Sequence, residues 1–285
     1  MPMNWNSEAI TSLVRAALAE DIGPGDATTA ATIPEGAMAN ARIVAREPLV
    51  CAGLPLAERV FRELDPSCRL ELLCKDGETV PAGGDLLRIS GSAPAILAAE
   101  RTALNFLAHL SGIATMTSQF VKKLAGTRAK IRDTRKTTPL LRTLEKYAVR
   151  MGGGENHRFG LYDAILLKEN HISLSGGVEV ALKKARAHSA SLPIQVEVRN
   201  RAELGEALAA GADAVLLDNM TVEEAALCVS LVRRVRPQCI VEISGGITLS
   251  NARAYAETGA DYLSSGAVTH SAPAADLSLL VETIR

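Results

Sequence analysis

Several features are scarce in this sequence, and each scarcity excludes a class of protein. Aromatic residues make up only 3% of the 285 residues although 47% are hydrophobic. Aliphatic side chains must therefore form the core, as is typical of helices packed on buried parallel strands. Lysine and arginine (31) nearly balance aspartate and glutamate (32), which leaves a net charge of -1. No overall field attracts nucleic acid or acidic membranes, so an anionic ligand needs a local cluster of basic residues.

Cysteine and long apolar runs are also limited. The 5 cysteines are odd in number and include no Cys-x-x-Cys pair, which argues against a zinc site or a disulfide framework. The start of the chain lacks the apolar core of a signal peptide. No uncharged apolar stretch approaches the ~20 residues that span a bilayer. We therefore expect a cytoplasmic protein with free thiols, no membrane segment and no nucleic-acid partner.

The chain changes character near Ala125. Before it, helical patterns at 7–20 and 93–110 and short strands between 39 and 90 predict a small mixed α/β domain. After it, strand-like apolar runs alternate with helical stretches at intervals of 33, 29, 21, 26 and 22 residues, measured between the residues that end the runs: Arg135, Lys168, Glu197, Asp218, Ser244 and Gly266. A (β/α)8 barrel needs roughly 30 residues per unit, so this rhythm predicts parallel barrel strands. A doubly wound open sheet fits the same rhythm.

Basic residues gather at the predicted strand ends. Arg135 and Lys136 lie in TRKTTP, His157 and Arg158 in GGGENHR, and Lys168 in LLKENH. In a parallel barrel these ends meet at one mouth. Arginine can grip a carboxylate or phosphate with two hydrogen bonds, whereas lysine supplies a point charge. The set as a whole predicts a site for a ligand with several negative charges, although Lys168 alone could simply extend from a strand end to solvent.

Glycine turns and carboxylates end the other strands. EISGGI (242–247) and SSGA (264–267) each join a predicted strand to a helix, where backbone N–H groups commonly bind phosphate. Glu197 and Asp218 could accept hydrogen bonds from sugar hydroxyls, hold Mg2+, or act as acid and base. Plain pairing with neighbouring lysine or arginine would also account for them.

These motifs, with ALAEDIGPGDATT near the start and ERTALNFLAHLSGIAT at 100–115, resemble the quinolinate phosphoribosyltransferase family from about residue 14 to about residue 273. The resemblance implies an N-terminal α/β sandwich domain at 1–112 and an incomplete (β/α) barrel of parallel strands at 113–285, with a last helix packed back on the first domain. It also implies transfer of phosphoribosyl from phosphoribosyl pyrophosphate to quinolinate with decarboxylation, a step of NAD biosynthesis that gives nicotinate mononucleotide.

The resemblance further implies the roles of individual residues. The catalytic residues would be Lys168, Glu197 and Asp218. Quinolinate would be held by Arg101, Arg135, His157, Arg158 and Lys168, with Arg101 supplied by the other subunit of a homodimer. Phosphoribosyl pyrophosphate would be bound by Thr134, Lys136, Glu197, Asp218, Ser244, Gly245, Gly246, Ser265, Gly266, Ala267 and His270. Mg2+ is the implied cofactor, held mainly through the substrate, with Glu197 and Asp218 as candidate protein ligands.

Some positions depart from the family pattern, and alternatives stay open. Leu140 replaces the glycine expected after TRKTTP, Glu169 stands where aspartate is common, and Ser265 stands where an apolar residue is common. The alternatives are a ModD-like phosphoribosyltransferase homologue, a non-catalytic sugar-phosphate-binding barrel, and a barrel aldolase or isomerase with Lys168 as a Schiff base. Intact TRKTTP and LLKENH favour quinolinate, and the two strand-end carboxylates favour an enzyme over a binding protein.

Overall fold

The computed structural model of this chain describes residues 3–284, with side chains described up to residue 282. These residues form two compact units. The first contains the chain up to Met116, Thr143–Gly153 and the chain from Ala272 onward, and the second contains Thr117–Arg142 and Gly154–Ser271.

Helices and strands occur along the whole described chain. In chain order, the first are α1 (Glu8–Ile22), α2 (Ala27–Thr32), β1 (Met38–Ala45), β2 (Leu49–Val50), α3 (Leu54–Leu64), β3 (Arg69–Leu72), β4 (Thr79–Val80), β5 (Asp85–Ser92) and α4 (Ala93–Leu124). They are followed by β6 (Lys130–Arg132), α5 (Arg142–Met151), β7 (Ile165–Leu167), α6 (Glu169–Ser175), α7 (Val178–His188), β8 (Ile194–Val198), α8 (Arg201–Ala209), β9 (Ala214–Asp218), α9 (Val222–Val235), β10 (Ile240–Ser244), α10 (Ala252–Ala256), β11 (Tyr262–Ser264), α11 (Ala267–His270) and β12 (Leu277–Ile284).

An antiparallel sheet with the strand order β12-β1-β5-β3 forms the first unit together with its helices. On β1, Ala39, Ala41 and Ile43 are buried, while Asn40 and Arg42 between them are partly exposed. This alternation is what a strand with one covered face requires, because successive side chains point to opposite faces. The predicted small mixed α/β domain is therefore present.

The end of the chain differs from the expectation. The sequence predicts a last helix packed on the first domain, but β12 is a strand that pairs with β1, from Ala45↔Leu277 to Ala39↔Ile284. Two physical reasons favour a strand. The edge of β1 presents unpaired backbone groups to any extended segment, and the β-branched residues of this segment, such as Val281, suit a pleated sheet.

Helix α4 is longer than the helix predicted over 93–110, because Gly112 does not end it. A Cβ atom at Gly112 would lie 2.0 Å from the carbonyl oxygen of Pro273, so glycine here permits a close approach of two backbone segments. Its cost in a helix, about 1 kcal/mol relative to alanine, is small beside the packing of a long helix. The boundary predicted between residues 112 and 113 falls inside α4, as does the division between the units after Met116.

The second unit is built on a parallel sheet with the order β6-β11-β10-β9-β8-β7. From β8 to β11 each strand lies beside its predecessor in the chain, and β6 lies beside β11, the last strand of this sheet. This is the order of a barrel left open between its first and second strands. A doubly wound sheet would reverse its order in the middle, so that alternative is wrong.

Aliphatic side chains fill the second unit, as the scarcity of aromatics predicts. The fully buried strand residues include Val196, Val198, Val215, Leu217, Val241, Ile243 and Leu263. Within residues 3–284, no helix is both long and apolar enough to cross a membrane.

Candidate active site

A cavity of about 470 Å³ opens in the second unit, at the carboxyl ends of its parallel strands. Its lining contains every residue that the sequence analysis assigns to the site except Arg101: Thr134, Arg135, Lys136, His157, Arg158, Lys168, Glu197, Asp218, Ser244, Gly245, Gly246, Ser265, Gly266, Ala267 and His270. Strand ends far apart in the sequence therefore meet in one place. Arg101 lies in the first unit, exposed on α4, and its role stays a prediction.

The basic residues of the cavity differ in how firmly they are held. Arg135 and Lys136 are exposed on the loop after β6, whereas Arg158 is partly buried and its Nη1 donates to the carbonyl oxygen of Ala164 at 3.0 Å. Burial and, second, the positive charge of Arg135 lower the pKa of the Arg158 guanidinium from its ordinary value. Two crowded cations of this kind are stabilised when an anion binds between them.

The loop that carries Arg135 and Lys136 is fixed from two directions. Arg142 donates from Nη2 to the carbonyl oxygen of Arg135 at 3.3 Å and from Nη1 to that of Phe159 at 3.1 Å. The Thr269 hydroxyl donates to the carbonyl oxygen of Lys136 at 2.7 Å. These bonds tie the TRKTTP loop to Phe159, directly after GGGENHR, and to α11, so the backbone that carries the basic groups is preorganised.

Lys168 and Glu197 form an ion pair, with Nζ and Oε2 at 2.8 Å. Lys168 directly follows β7, and Glu197 lies on β8 beside it. The ion pair fixes the positions of both side chains in the cavity and orients the carboxylate.

His157 is held in one tautomer. Its Nδ1 accepts a hydrogen bond from the backbone N–H of Arg158 at 2.7 Å, so this nitrogen carries no proton. The proton of the neutral ring is then on Nε2, which lies 3.4 Å from Oε1 of Glu242. The backbone N–H of His157 donates to buried Asp133 at 2.9 Å. Nε2 is thus the ring nitrogen of His157 that can donate a hydrogen bond.

Glu242 is a charged residue of the cavity lining that was not predicted from the sequence. It lines the cavity although its side chain is 0% exposed, and its carboxylate accepts from Arg132 at 3.2 Å, from Gln195 at 3.1 Å and from the Ser264 hydroxyl. A buried carboxylate is costly unless it is paired and hydrogen-bonded, and here it is both. The available signal was a charged residue in the apolar strand IVEIS, two positions before Ser244 and hence on the same face.

The glycine turn after β10 has no room for a side chain at Gly245. Gly245 has φ 97°, and a Cβ atom there would lie 2.2 Å from Oδ1 of Asn219. Asn251 donates to the carbonyl oxygen of Gly246 at 2.9 Å and so holds the following residue. In the glycine turn after β11, a Cβ atom at Gly266 would lie 2.7 Å from Nε2 of His270. Backbone groups can approach a phosphate closely only where side chains are absent.

Comparison with known proteins decides the family. The N-terminal domain of quinolinate phosphoribosyl transferase matches residues 26–111, and the C-terminal domain of the same family matches residues 113–280. This chain belongs to the quinolinate phosphoribosyl transferase family.

Individual members of the quinolinate phosphoribosyl transferase family are similar over nearly the whole chain. The nicotinate-nucleotide pyrophosphorylase (carboxylating) of Mycobacterium leprae is 45% identical, with 95% of this chain and 97% of the relative covered. A probable enzyme of the same name from Synechocystis is 43% identical over 93% of this chain and 90% of the relative. The solved nicotinate-nucleotide pyrophosphorylase of Francisella tularensis has a TM-score of 0.91 at 42% identity, with 96% of each chain covered. The expected fold class, an α/β sandwich domain followed by an incomplete parallel barrel, is thereby confirmed.

The departures from the quinolinate phosphoribosyl transferase pattern have separate structural settings. Leu140 adopts a left-handed conformation (φ 68°) with its side chain 91% exposed, which explains why glycine suits this position. Glu169 pairs with Arg199. Ser265 is buried and donates to the carbonyl oxygen of Ile247 at 2.7 Å, so its hydroxyl is satisfied where an apolar residue is common.

Proposed function

We propose that this chain transfers the phosphoribosyl group of phosphoribosyl pyrophosphate to quinolinate with decarboxylation, giving nicotinate mononucleotide, pyrophosphate and carbon dioxide. The observation that carries the proposal is a single cavity where basic residues, strand-end carboxylates and two glycine turns meet. Some relatives are named for the reverse direction of this reaction, as carboxylating pyrophosphorylases, and others for the forward direction, as decarboxylating phosphoribosyltransferases. Such a reaction belongs to NAD biosynthesis.

Quinolinate is a dianion, and the basic side of the cavity suits it. Arg135 and Arg158 supply guanidinium groups that can each bind a carboxylate with two hydrogen bonds. Lys168 adds a point charge, and His157 adds the Nε2–H donor that its tautomer provides. Because the pKa of Arg158 is lowered by burial and by Arg135, binding of the dianion should stabilise both cations together.

Phosphoribosyl pyrophosphate would occupy the other side. Ser244 and the turn at Gly245 and Gly246 offer hydroxyl and backbone groups to a phosphate, and Lys136 and the Gly266–His270 segment face the same cavity. Departure of pyrophosphate leaves positive charge on the ribose. The carboxylates of Glu197 and Asp218 would stabilise that charge by their field rather than by covalent attack.

The decarboxylation needs no electron sink from the protein. Once the pyridine nitrogen has bonded to the ribose carbon, its positive charge stabilises the electron pair that the departing carbon dioxide leaves on the adjacent ring carbon. That carbon then takes up one proton from water, which gives nicotinate mononucleotide. The residues around the ring therefore have to orient quinolinate. Arg158 and His157, both fixed by hydrogen bonds, suit this positioning task.

The acidic residues of the cavity fit a metal ion that is carried mainly by the substrate. Glu197 and Asp218 lie at the ends of the adjacent strands β8 and β9. No group of three or more His, Cys, Asp or Glu within residues 3–284 could hold a metal ion by itself. Mg2+ is commonly bound by one or two carboxylates together with substrate phosphates. Bound in this way, the ion would neutralise charge on the pyrophosphate, with Glu197 and Asp218 as its protein ligands.

The proposal also covers Arg101 and the assembly of the chain. Arg101 lies outside the cavity lining and is exposed on α4, which is compatible with a contact to the site of a second copy of the chain. We therefore propose a homodimer in which Arg101 of each subunit contacts quinolinate bound to its partner.

The Lys168–Glu197 ion pair weighs against the Schiff-base alternative. A lysine that forms a Schiff base must present a free amine to a carbonyl group, whereas Nζ of Lys168 is engaged by Oε2 of Glu197 at 2.8 Å. The pair suits a lysine that binds an anion.

The deciding experiment supplies quinolinate, phosphoribosyl pyrophosphate and Mg2+ to the purified protein and follows nicotinate mononucleotide and carbon dioxide. Equimolar formation of both products is expected. A Lys168→Ala variant should lose most of the activity, whereas Lys183→Ala, which removes an exposed lysine of α7 outside the cavity, should keep it. Binding of both substrates without turnover would favour the non-catalytic barrel, and absence of binding would refute the proposal.

A further inference from the structure

Asn219 directly follows β9 and adopts a left-handed backbone conformation with φ 54°. Among residues 3–284, Leu140 is the other non-glycine residue with a positive φ. Asn219 is exposed and does not line the cavity. Any effect it has on the reaction must therefore pass through its neighbours.

Those neighbours are two separate parts of the site. The side-chain Nδ2 of Asn219 donates to Oδ2 of Asp218 at 2.8 Å, and the backbone N–H donates to the carbonyl oxygen of Ser244 at 2.9 Å. Its Oδ1 lies so close to Gly245 that a Cβ atom there would be 2.2 Å away. One residue thus contacts both the carboxylate at the end of β9 and the glycine turn at the end of β10.

We propose that Asn219 is a positioning residue for phosphoribosyl pyrophosphate, an inference that rests on the proposed function. By occupying one oxygen of Asp218, its amide fixes the rotation of the carboxylate and directs the other oxygen to the ribose. By packing against Gly245, the same side chain fixes the phosphate-binding turn relative to that carboxylate. Small displacements of such groups are costly, because catalysis depends on geometry within about 1 Å.

A simpler role would be to form the turn alone, since asparagine tolerates the left-handed conformation better than most residues. Two substitutions separate these roles. Asn219→Gly keeps the backbone conformation, because glycine adopts it most readily, but removes the amide. Asn219→Asp keeps the shape of the side chain but replaces the donor by a carboxylate that repels Asp218.

The experiment compares steady-state constants at saturating Mg2+ with thermal melting of each protein. Both variants should melt near the parental temperature. Their kcat/KM for phosphoribosyl pyrophosphate should fall about 10-fold to 100-fold, as expected for loss of a hydrogen bond to a charged group. The KM for quinolinate should not change, because Asn219 contacts Asp218, Ser244 and Gly245, which are all assigned to phosphoribosyl pyrophosphate.

Asn200→Asp is the matched control. Asn200 follows the neighbouring strand β8, and its Nδ2 also donates to a carboxylate, that of Glu203, at 2.9 Å, but neither residue lines the cavity. Aspartate preserves its cap on α8, so parental constants are expected.

Parental kinetics in Asn219→Gly and Asn219→Asp would overturn the inference and leave only a turn-forming role. An equal loss for both substrates with a lower melting temperature would overturn it as well, since it would indicate general loosening. Calorimetric binding of phosphoribosyl pyrophosphate with Mg2+, without quinolinate, gives a second test. If the parent binds but does not turn over, the proposed function fails, and weaker binding by the variants still supports the inference. If the parent does not bind, both fail.

Discussion

The basic residues around the cavity are positioned in two distinct ways. Arg135 and Lys136 project from a loop whose backbone is tied down, whereas Arg158 is itself partly buried and hydrogen-bonded. His157 adds a hydrogen-bond donor. Since an unpaired buried cation is costly, Arg158 should discriminate most strongly between ligands that do and do not bring it a carboxylate.

This difference leads to a prediction about substrate choice. Quinolinate has two carboxylates and nicotinate has one, so nicotinate leaves one charge-assisted interaction unmade. Its loss should cost ~1.5–3 kcal/mol, or about 10-fold to 100-fold in kcat/KM. The measurement is kcat/KM for each acid at the same concentration of phosphoribosyl pyrophosphate. Arg158→Gln should narrow the preference, and equal use of both acids by the parent would refute the assignment of these arginines.

A second residue-scale prediction concerns Glu197 and Asp218. Glu197→Gln and Asp218→Asn keep the size of each side chain but remove its negative charge. If the carboxylates stabilise charge on the ribose, kcat should fall by ~10²–10³ while KM rises less. Steady-state kinetics at several Mg2+ concentrations measure both constants and identify any loss of metal affinity.

Two controls accompany this measurement. Thermal melting shows whether each variant is folded. Glu203→Gln changes an acidic residue on neighbouring α8 that does not line the cavity, and its kcat should stay at the parental value. Folded Glu197 and Asp218 variants that turn over at the parental rate would disprove the electrostatic role.

At the scale of elements, the sequence predicts where the parallel strands end, but not the full length of α4 or the strand β12. Apolar runs that end in Lys168, Asp218 or Ser244 are local signals, and each of these residues ends or directly follows a strand. The extra length of α4 and the strand β12 depend on contacts between distant segments, such as Gly112 with Pro273. No local pattern contains that information.

The same distinction holds within the site. Basic residues and glycines stand out in the sequence, so 15 of the 21 residues that line the cavity could be predicted. Glu242 was missed because its importance comes from Arg132, Gln195 and Ser264, which reach it from other strands. Asn219 was missed because its left-handed conformation appears only in the folded chain.

Leu140 provides a prediction at the element scale, because it strains the loop after TRKTTP. A left-handed conformation costs a non-glycine residue about 1–2 kcal/mol, partly offset by the greater unfolded-state entropy of glycine. Leu140→Gly should therefore raise the free energy of unfolding by up to about 1 kcal/mol, which is a few degrees in Tm.

Leu174→Gly is the control for this substitution. Leu174 is 89% exposed, similar to Leu140, but lies in α6, where glycine destabilises by about 1 kcal/mol. The same replacement should thus change Tm in opposite directions at the two positions. Destabilisation at both would show that the conformation of Leu140 is not strained.

At the scale of the whole molecule, the chain leaves the first unit and returns to it twice. The segment Thr143–Gly153 and the chain from Ala272 belong to the first unit, although the segments that precede them, Thr117–Arg142 and Gly154–Ser271, belong to the second. The barrel unit carries the complete cavity, whereas Arg101 lies in the first unit. In the proposed role, Arg101 acts within an assembly of two copies of the chain.

Mixing two inactive variants tests that role. If Arg101 acts on the partner's quinolinate, a dimer of one Arg101→Ala and one Lys168→Ala subunit has one cavity with both residues intact and one with neither. In an equimolar mixture with free exchange, half of the dimers are mixed, so about a quarter of the parental activity should return. Exchange is measured with differently tagged subunits, and a mixture of two Lys168→Ala preparations is the control. If subunits exchange and no activity returns, Arg101 does not act across the interface, because only that arrangement restores an intact cavity.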